Sequence, residues 1–154
     1  MRFLPLLVGA VCISSCSQNP GLISSLNGSQ PQLSRLDQST PNIKNVSKVV
    51  AKQHQTIVIT GSGFGKTQPY NGDSAYLQIL DTTGGWSAGH ENSYEIDTVH
   101  LKVTQWVDNK SVIAGFTGGY GQEYWVLHKG DHLNVNVWNA SNGDGPATQE
   151  TDVK

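Results

Sequence analysis

Polar and apolar residues alternate one by one through much of the chain after Pro41. In "HLNVNVWN", Leu133, Val135 and Val137 fall on one side and His132, Asn134 and Asn136 on the other. "VHLKV" repeats the pattern, with Val99, Leu101 and Val103 set against His100 and Lys102. A period of two sends successive side chains to opposite faces of an extended strand, so both segments are predicted to be half-buried β-strands. "TIVIT", "AYLQIL" and "SVIAGF" add three candidates rich in β-branched and apolar residues, and "IKNVSKVVA" and "ATQETDV" supply a first and a last strand. From residue 41 onward no stretch sustains the i, i+3, i+4, i+7 stripe of an amphipathic helix.

Turn residues fall between these runs. Asp108-Asn109 separates "VTQWV" from "KSVIAGF" and predicts a tight hairpin, because Asp and Asn tolerate positive φ. Gly130-Asp131 opens the strand beginning at His132, and Gly143-Asp144-Gly145-Pro146 breaks the chain before the last one. About seven short strands punctuated in this way predict an all-β domain, an antiparallel β-sandwich. A hydrophobic content of 36% in 154 residues supports one modest core and so a single domain.

The first forty residues read differently. "MRFLPLLVGAVCISS", residues 1–15, places one Arg before an apolar run and finishes in small residues, the pattern of a secretory signal too short to span a membrane. "ISSC", ending at Cys16, resembles the bacterial lipobox. That resemblance implies cleavage before Cys16, a lipid-modified Cys16 as the new N-terminus, and stable attachment through several acyl chains. Ser17 beside it resembles the outer-membrane sorting pattern, so the expected address is the outer membrane or cell surface. Residues 16–40, dominated by Ser, Gln, Asn, Pro and Gly, cannot bury enough to fold alone. As a flexible tether they would reach roughly 25–30 Å. With Cys12 removed and Cys16 lipidated, the domain over 41–154 has no cysteine left for a disulfide. Beyond the signal, nine Lys and Arg face twelve Asp and Glu with no basic run, which lacks the electrostatic footprint of a nucleic-acid binder.

One motif demands a decision. "VITGSGFGKT", Val58 to Thr67, looks like a phosphate-binding loop, but three residues separate Gly61 from Gly65 where the pattern needs four. "QPYNGD" then follows, which cannot start the helix whose N-terminus completes such a site. No nucleotide is expected, nor any other cofactor. The same stretch, as "HQTIVITGSGFG" from His54 to Gly65, resembles the second strand of an IPT/TIG domain. Pro41, Ile43 and Val46 match that family's "P.I..V" start, and "GDHLNVNVWNASNGDGPA" its closing strand with a preceding Gly-Asp. The resemblance covers nearly all of 41–154 and implies an immunoglobulin-like β-sandwich in which Phe64 turns inward as a plug. His54 stands where the family has glycine, and the segments 70–98 and 117–125 are longer than a minimal module needs.

Those longer segments carry the candidate ligand-binding residues: Trp86, His90 and Tyr94 in the first, Tyr120, Tyr124 and Trp125 in the second. Aromatic rings flanked by glycine on loops can stack against a sugar while neighbouring Asn, Asp and Glu bond its hydroxyls. Trp86, in the most polar surroundings, is expected to be the most exposed, whereas Trp106 and Trp138 at the ends of strands read as structural. The competing reading has all these rings capping the core. "HKGDH" lacks a third ligand for a zinc site, and neither "NGDS" nor "SNGDG" has calcium-loop spacing, so no metal is expected. With "GxSxG" absent and the carboxylates isolated in sequence, no catalytic residues are assigned and the chain is not read as an enzyme. The expectation is a membrane-anchored lipoprotein presenting a non-catalytic binding or adhesion module for a polysaccharide or protein partner. Two alternatives stand beside it: an assembly subunit that docks a protein on a sheet edge, and a small surface hydrolase.

Overall fold

The computed structural model describes residues 39–66, 73–90 and 99–154. All regular structure among them is β: β1 (Asn42–Val46), β2 (Ile57–Ser62), β3 (Leu77–Asp81), β4 (Trp86–Gly89), β5 (Val99–Val107), β6 (Lys110–Gly118), β7 (His132–Val137) and β8 (Ala147–Asp152). The signal and tether, with Cys16, lie outside the described residues, as does Tyr94.

The predicted strands appear where the alternation places them. Leu133, Val135 and Val137 are buried along β7 while His132 is exposed, and the β5–β6 hairpin turns at Asp108-Asn109 between the paired Val107 and Lys110. The count of about seven strands needs correction to eight among the described residues. β4 is only four residues long, and in its "WSAG" Trp86 alone favours a strand while Ala and Gly disfavour one, so it has little strand signature of its own. It forms because β3 supplies a ready edge, pairing Asp81 with Trp86 and Gln78 with Gly89 across a turn that starts at Thr82.

The eight strands form one mixed sheet in the order β1-β2-β6-β5-β4-β3-β7-β8, in place of the two separate antiparallel sheets that a sandwich implies. Every strand has an antiparallel neighbour on at least one side, but β4 also meets β5 in parallel, through the single pair Ala88 and Val99. The sheet curls until its ends approach, giving a nearly barrel-shaped fold. Val49, after β1, bridges to Val153, after β8, and the Lys154 amide donates to the Val49 carbonyl at 3.0 Å.

Inside lie Ile57 and Ile59 from β2, Leu77 and Ile79 from β3, Val99, Leu101 and Val103 from β5, and Ile113 and Phe116 from β6, joined by the three inward residues of β7. Burying each such side chain stabilises the fold by about 1.5–3 kcal/mol relative to leaving it in water. On β5 the strict alternation breaks: Thr104 and Gln105 both face outward and Trp106 turns in. An extra residue in one strand of a pair reverses the facing of everything beyond it, and the register of β5 on β6 shifts on either side of Val103.

Candidate functional site

Tyr94 lies outside the described residues, and the other five aromatic and histidine candidates do not assemble into one surface. Trp86 is 5% exposed and Tyr120 is 8% exposed, so both belong to the core, and the expectation that Trp86 would stand out in solvent is overturned. The reason is β4 itself: once Trp86 begins a strand, alternate positions face inward, and Trp86 and Ala88 are both buried. The polar residues that surround it in sequence are the exposed turn, Thr82 to Gly85. Trp86 meets Tyr120 edge-on at 6.0 Å and Phe116 at 6.2 Å, and Tyr120 stacks on Phe116 at 4.9 Å. These rings are part of the core cluster, as in the competing reading of the sequence.

His90 lies elsewhere. It adopts φ +60° and stacks flat on Trp138, with centroids 3.7 Å apart and planes 3° from parallel. Its Nδ1 lies 2.5 Å from the Ala75 carbonyl oxygen, which can only accept, so this nitrogen carries the proton and donates. Trp138 is partly exposed, while Trp106 is buried and donates its indole N–H to the Phe64 carbonyl at 3.1 Å.

Tyr124 and Trp125 remain. Tyr124 is 58% exposed, the most exposed large apolar side chain among the described residues, and Trp125 sits half-buried beside it, edge-on at 5.6 Å. The loop that carries them, between β6 and β7, is bonded internally. The Gly121 amide donates to the Trp125 carbonyl (2.8 Å), the Gln122 amide to Gly119 (3.1 Å) and the Trp125 amide to Gln122 (2.9 Å). Its base is tied down as well, because Leu127 N–H donates to the Tyr120 hydroxyl and His128 N–H to Asp131 Oδ2. A ring held out on a bonded loop loses little freedom when a ligand stacks on it, which is the condition for a useful contact.

The base of that loop also reaches a polar cluster that has no signature in the sequence. Asp81, at the end of β3, is fully buried, and its Oδ1 accepts from the amides of Thr83 (2.9 Å) and Gly84 (2.7 Å). Its Oδ2 is buried and has no partner, and neither has the Trp86 indole N–H. Both atoms stand 2.8 Å from where a β-carbon on Gly84 would sit. Burial pushes the Asp81 carboxyl up from its ordinary value against the pull of the Gly84 amide, and the neighbouring Asp131 pushes the same way, as a like charge and as a partner for the protonated form. Tyr120 is raised too, by burial first and then by the negative fields of Asp131 and Asp81. Two carboxylates do meet here, but Asp81 is sealed and Asp131 is 6% exposed, so this arrangement presents no open cleft. Far apart in sequence and each beside a turn, they give no signal beyond turn formation.

Other titratable groups pair off. His100 Nδ1 lies 2.8 Å from Asp73 Oδ2, His132 Nδ1 lies 2.8 Å from Asp152 Oδ1, and His128 stands 3.5 Å from Asp131. The two histidines of "HKGDH" therefore point at different aspartates, and among the described residues no three metal-ligating side chains converge. In "SNGDG", Asn142 and Asp144 bond to each other and shape a turn. The amides of the glycine-rich stretch are likewise committed: Gly61 N–H donates to Asn109 O, Phe64 N–H to Asp108 O, Gly65 N–H to Asp108 Oδ1 and Lys66 N–H to Ser141 Oγ. Phe64 between them is fully buried, 6.1 Å from the Trp106 ring. No protein-family model matches this chain, and no curated protein does either.

Proposed function

We propose that this chain is an exported lipoprotein, anchored through Cys16 to the outer membrane or cell surface, that presents an immunoglobulin-like module of the IPT/TIG type for non-catalytic binding or adhesion. The observation that carries the binding reading is Tyr124, more than half exposed on a loop whose own backbone bonds hold it in place. With Trp125 edge-on beside it, the loop offers an aromatic face of the sort that stacks on sugar rings. Trp86 and Tyr120 drop out as direct contacts and become the support beneath the loop.

The strand order supports the immunoglobulin-like part of the reading. Strands one, two, six and five form one run and four, three, seven and eight the other, which is the order of the two layers in such sandwiches when an extra strand joins the second layer. Strand pairing between the named strands of the two runs is limited to Ala88 with Val99, and the chain just after β1 lies parallel to the end of the last strand.

The test is binding of the purified chain to a polysaccharide panel, read by tryptophan fluorescence and repeated with Tyr124→Ala. Saturable binding that vanishes in a variant of unchanged stability supports the module. Binding that survives the substitution removes Tyr124 from the account, and no binding at all directs the search to protein partners. The anchor is tested apart from this: Cys16→Ser is expected to release the protein from the membrane fraction, and unchanged partitioning and processed mass refute it.

A further inference from the structure

Three of the eight lysines in this chain converge on a single hollow, although they come from separate segments. Lys48 lies between β1 and β2, Lys129 in the loop before β7, and Lys154 after β8. Together with Gly130, His132 and Asp152 they line an open pocket of about 360 Å³. Like charges carried by residues that line one space favour a negative charge within their reach. The carboxylate already present cannot serve all three. Asp152 has one oxygen 2.8 Å from His132 Nδ1 and the other 3.3 Å from Lys154 Nζ, and these hydrogen bonds hold its carboxyl below its ordinary value. Among the described residues Lys48 and Lys129 have no ion-pair partner. Three lysines against the one carboxylate of Asp152 leave the lining positive.

We propose that this hollow is an oxyanion-binding site that receives a phosphate or sulfate group between Lys48 and Lys129. Lysine suits that role as a compact charge on a flexible stem, which can reach a tetrahedral oxyanion from different directions. Asp152 occupies His132 Nδ1, so Nε2 is the ring nitrogen left for a ligand, and it becomes a third donor when the ring is protonated. Gly130, which lines the hollow at φ +94°, has nothing within 4 Å of where a β-carbon would sit. The volume exceeds that of a lone anion and sits near the lower end for small-molecule sites, which suits an anionic ester on a larger molecule. The site is separate from Tyr124 and stands or falls independently of it.

The experiment is a titration of the isotope-labelled chain with sodium phosphate and sodium sulfate, with ionic strength held constant by chloride. Amide signals of Gly130, Val153 and Lys154 are the readout. Saturable shifts are expected in the millimolar range, and Lys48→Ala combined with Lys129→Ala is expected to weaken binding at least fivefold. Lys102→Ala, an exposed lysine on β5 away from the hollow, serves as the control and is expected to change nothing. Shifts that match chloride alone, or that persist in the double variant, overturn the proposal. Sulfated dextran and phosphatidylglycerol vesicles then identify the source: tighter binding than the free anion, lost in the double variant, assigns a polysaccharide ester in the first case and a lipid headgroup in the second. If neither exceeds the free anion, a small free oxyanion is the ligand.

Discussion

Replacing Asp81 by Asn tests the buried carboxyl cluster, because it removes a charge while keeping the shape. Oδ1 of Asp81 accepts from the Thr83 and Gly84 amides, and the amide oxygen of Asn can accept the same two bonds. Oδ2 is buried without a partner. In the ionised native protein that orphaned acceptor costs about 1–3 kcal/mol, whereas the Asn NH₂ group can donate to the Asp131 carboxylate. The pH dependence follows from the raised folded-state carboxyl. Below its ordinary value of 3.8, the side chain is protonated in both folded and unfolded chains and contributes no slope. Above 3.8 the unfolded chain releases its proton first, so the contribution of Asp81 to stability falls until the folded carboxyl ionises, and stays low beyond that point. The groups facing it are Asp131 and the Tyr120 hydroxyl, with His128 beside Asp131. Asp81→Asn is therefore expected to gain about 1–3 kcal/mol on the native chain between pH 4 and pH 8. Urea unfolding followed by tryptophan fluorescence at a series of pH values measures this, with Trp86 close to the change. A difference that stays flat with pH, or a variant that loses ground as pH rises, would refute the reasoning.

Phe64→Ala removes a fully buried ring from between the glycines and its contact with Trp106, and should cost about 3–5 kcal/mol in the same unfolding assay. A loss under about 1 kcal/mol would mean the plug is not part of the core. Gly65 has φ +75°, and a β-carbon there would strike Asn139 Oδ1, so Gly65→Ala should destabilise by about 1–3 kcal/mol. An unchanged unfolding midpoint would contradict that geometry. Asp152, exposed and held below its ordinary value by bonds from His132 and then Lys154, has the opposite sign to Asp81: its contribution is present above 3.8 and disappears as pH falls through the lower folded-state value. Asp152→Asn should therefore flatten the acid limb of the stability curve, and an unaltered limb counts against the pair.

Much of the fold is legible in the sequence because it is written in local pattern. Leu133, Val135 and Val137 alternate with polar residues, so a strand at β7 and its buried face follow from a period of two. Asp108-Asn109 names its hairpin because those residue types accept the backbone that a tight turn requires. Phe64, flanked by Gly63 and Gly65, reads as inward-facing by resemblance and is fully buried. The strand β4 is illegible for the converse reason: at four residues "WSAG" is too short for an alternation to stand out, and it becomes a strand only when β3 lies beside it. The shift on β5 that turns Trp106 inward instead of Gln105 also depends on a neighbour, since a bulge exists only relative to the strand it pairs with.

The candidate sites divide along the same line. Sequence alone determined which residues are aromatic, which are charged, and that the domain is built from strands, because composition and period are properties of the chain itself. Only tertiary structure decided that Trp86 and Tyr120 go into the core while Tyr124 stays out, since burial depends on which strand lies across from a ring. It also brought Asp81 to Asp131, fifty residues apart, and Lys48 to Lys129 and Lys154 across most of the domain. Charges carry no periodicity that says where they will meet. Asp81 reaches Asp131 because β3 pairs with β7, Asp81 opposite Leu133, and the lysines meet where the curl brings the two ends of the sheet together at Val49 and Val153, a consequence of packing one core from strands that span the whole sheet.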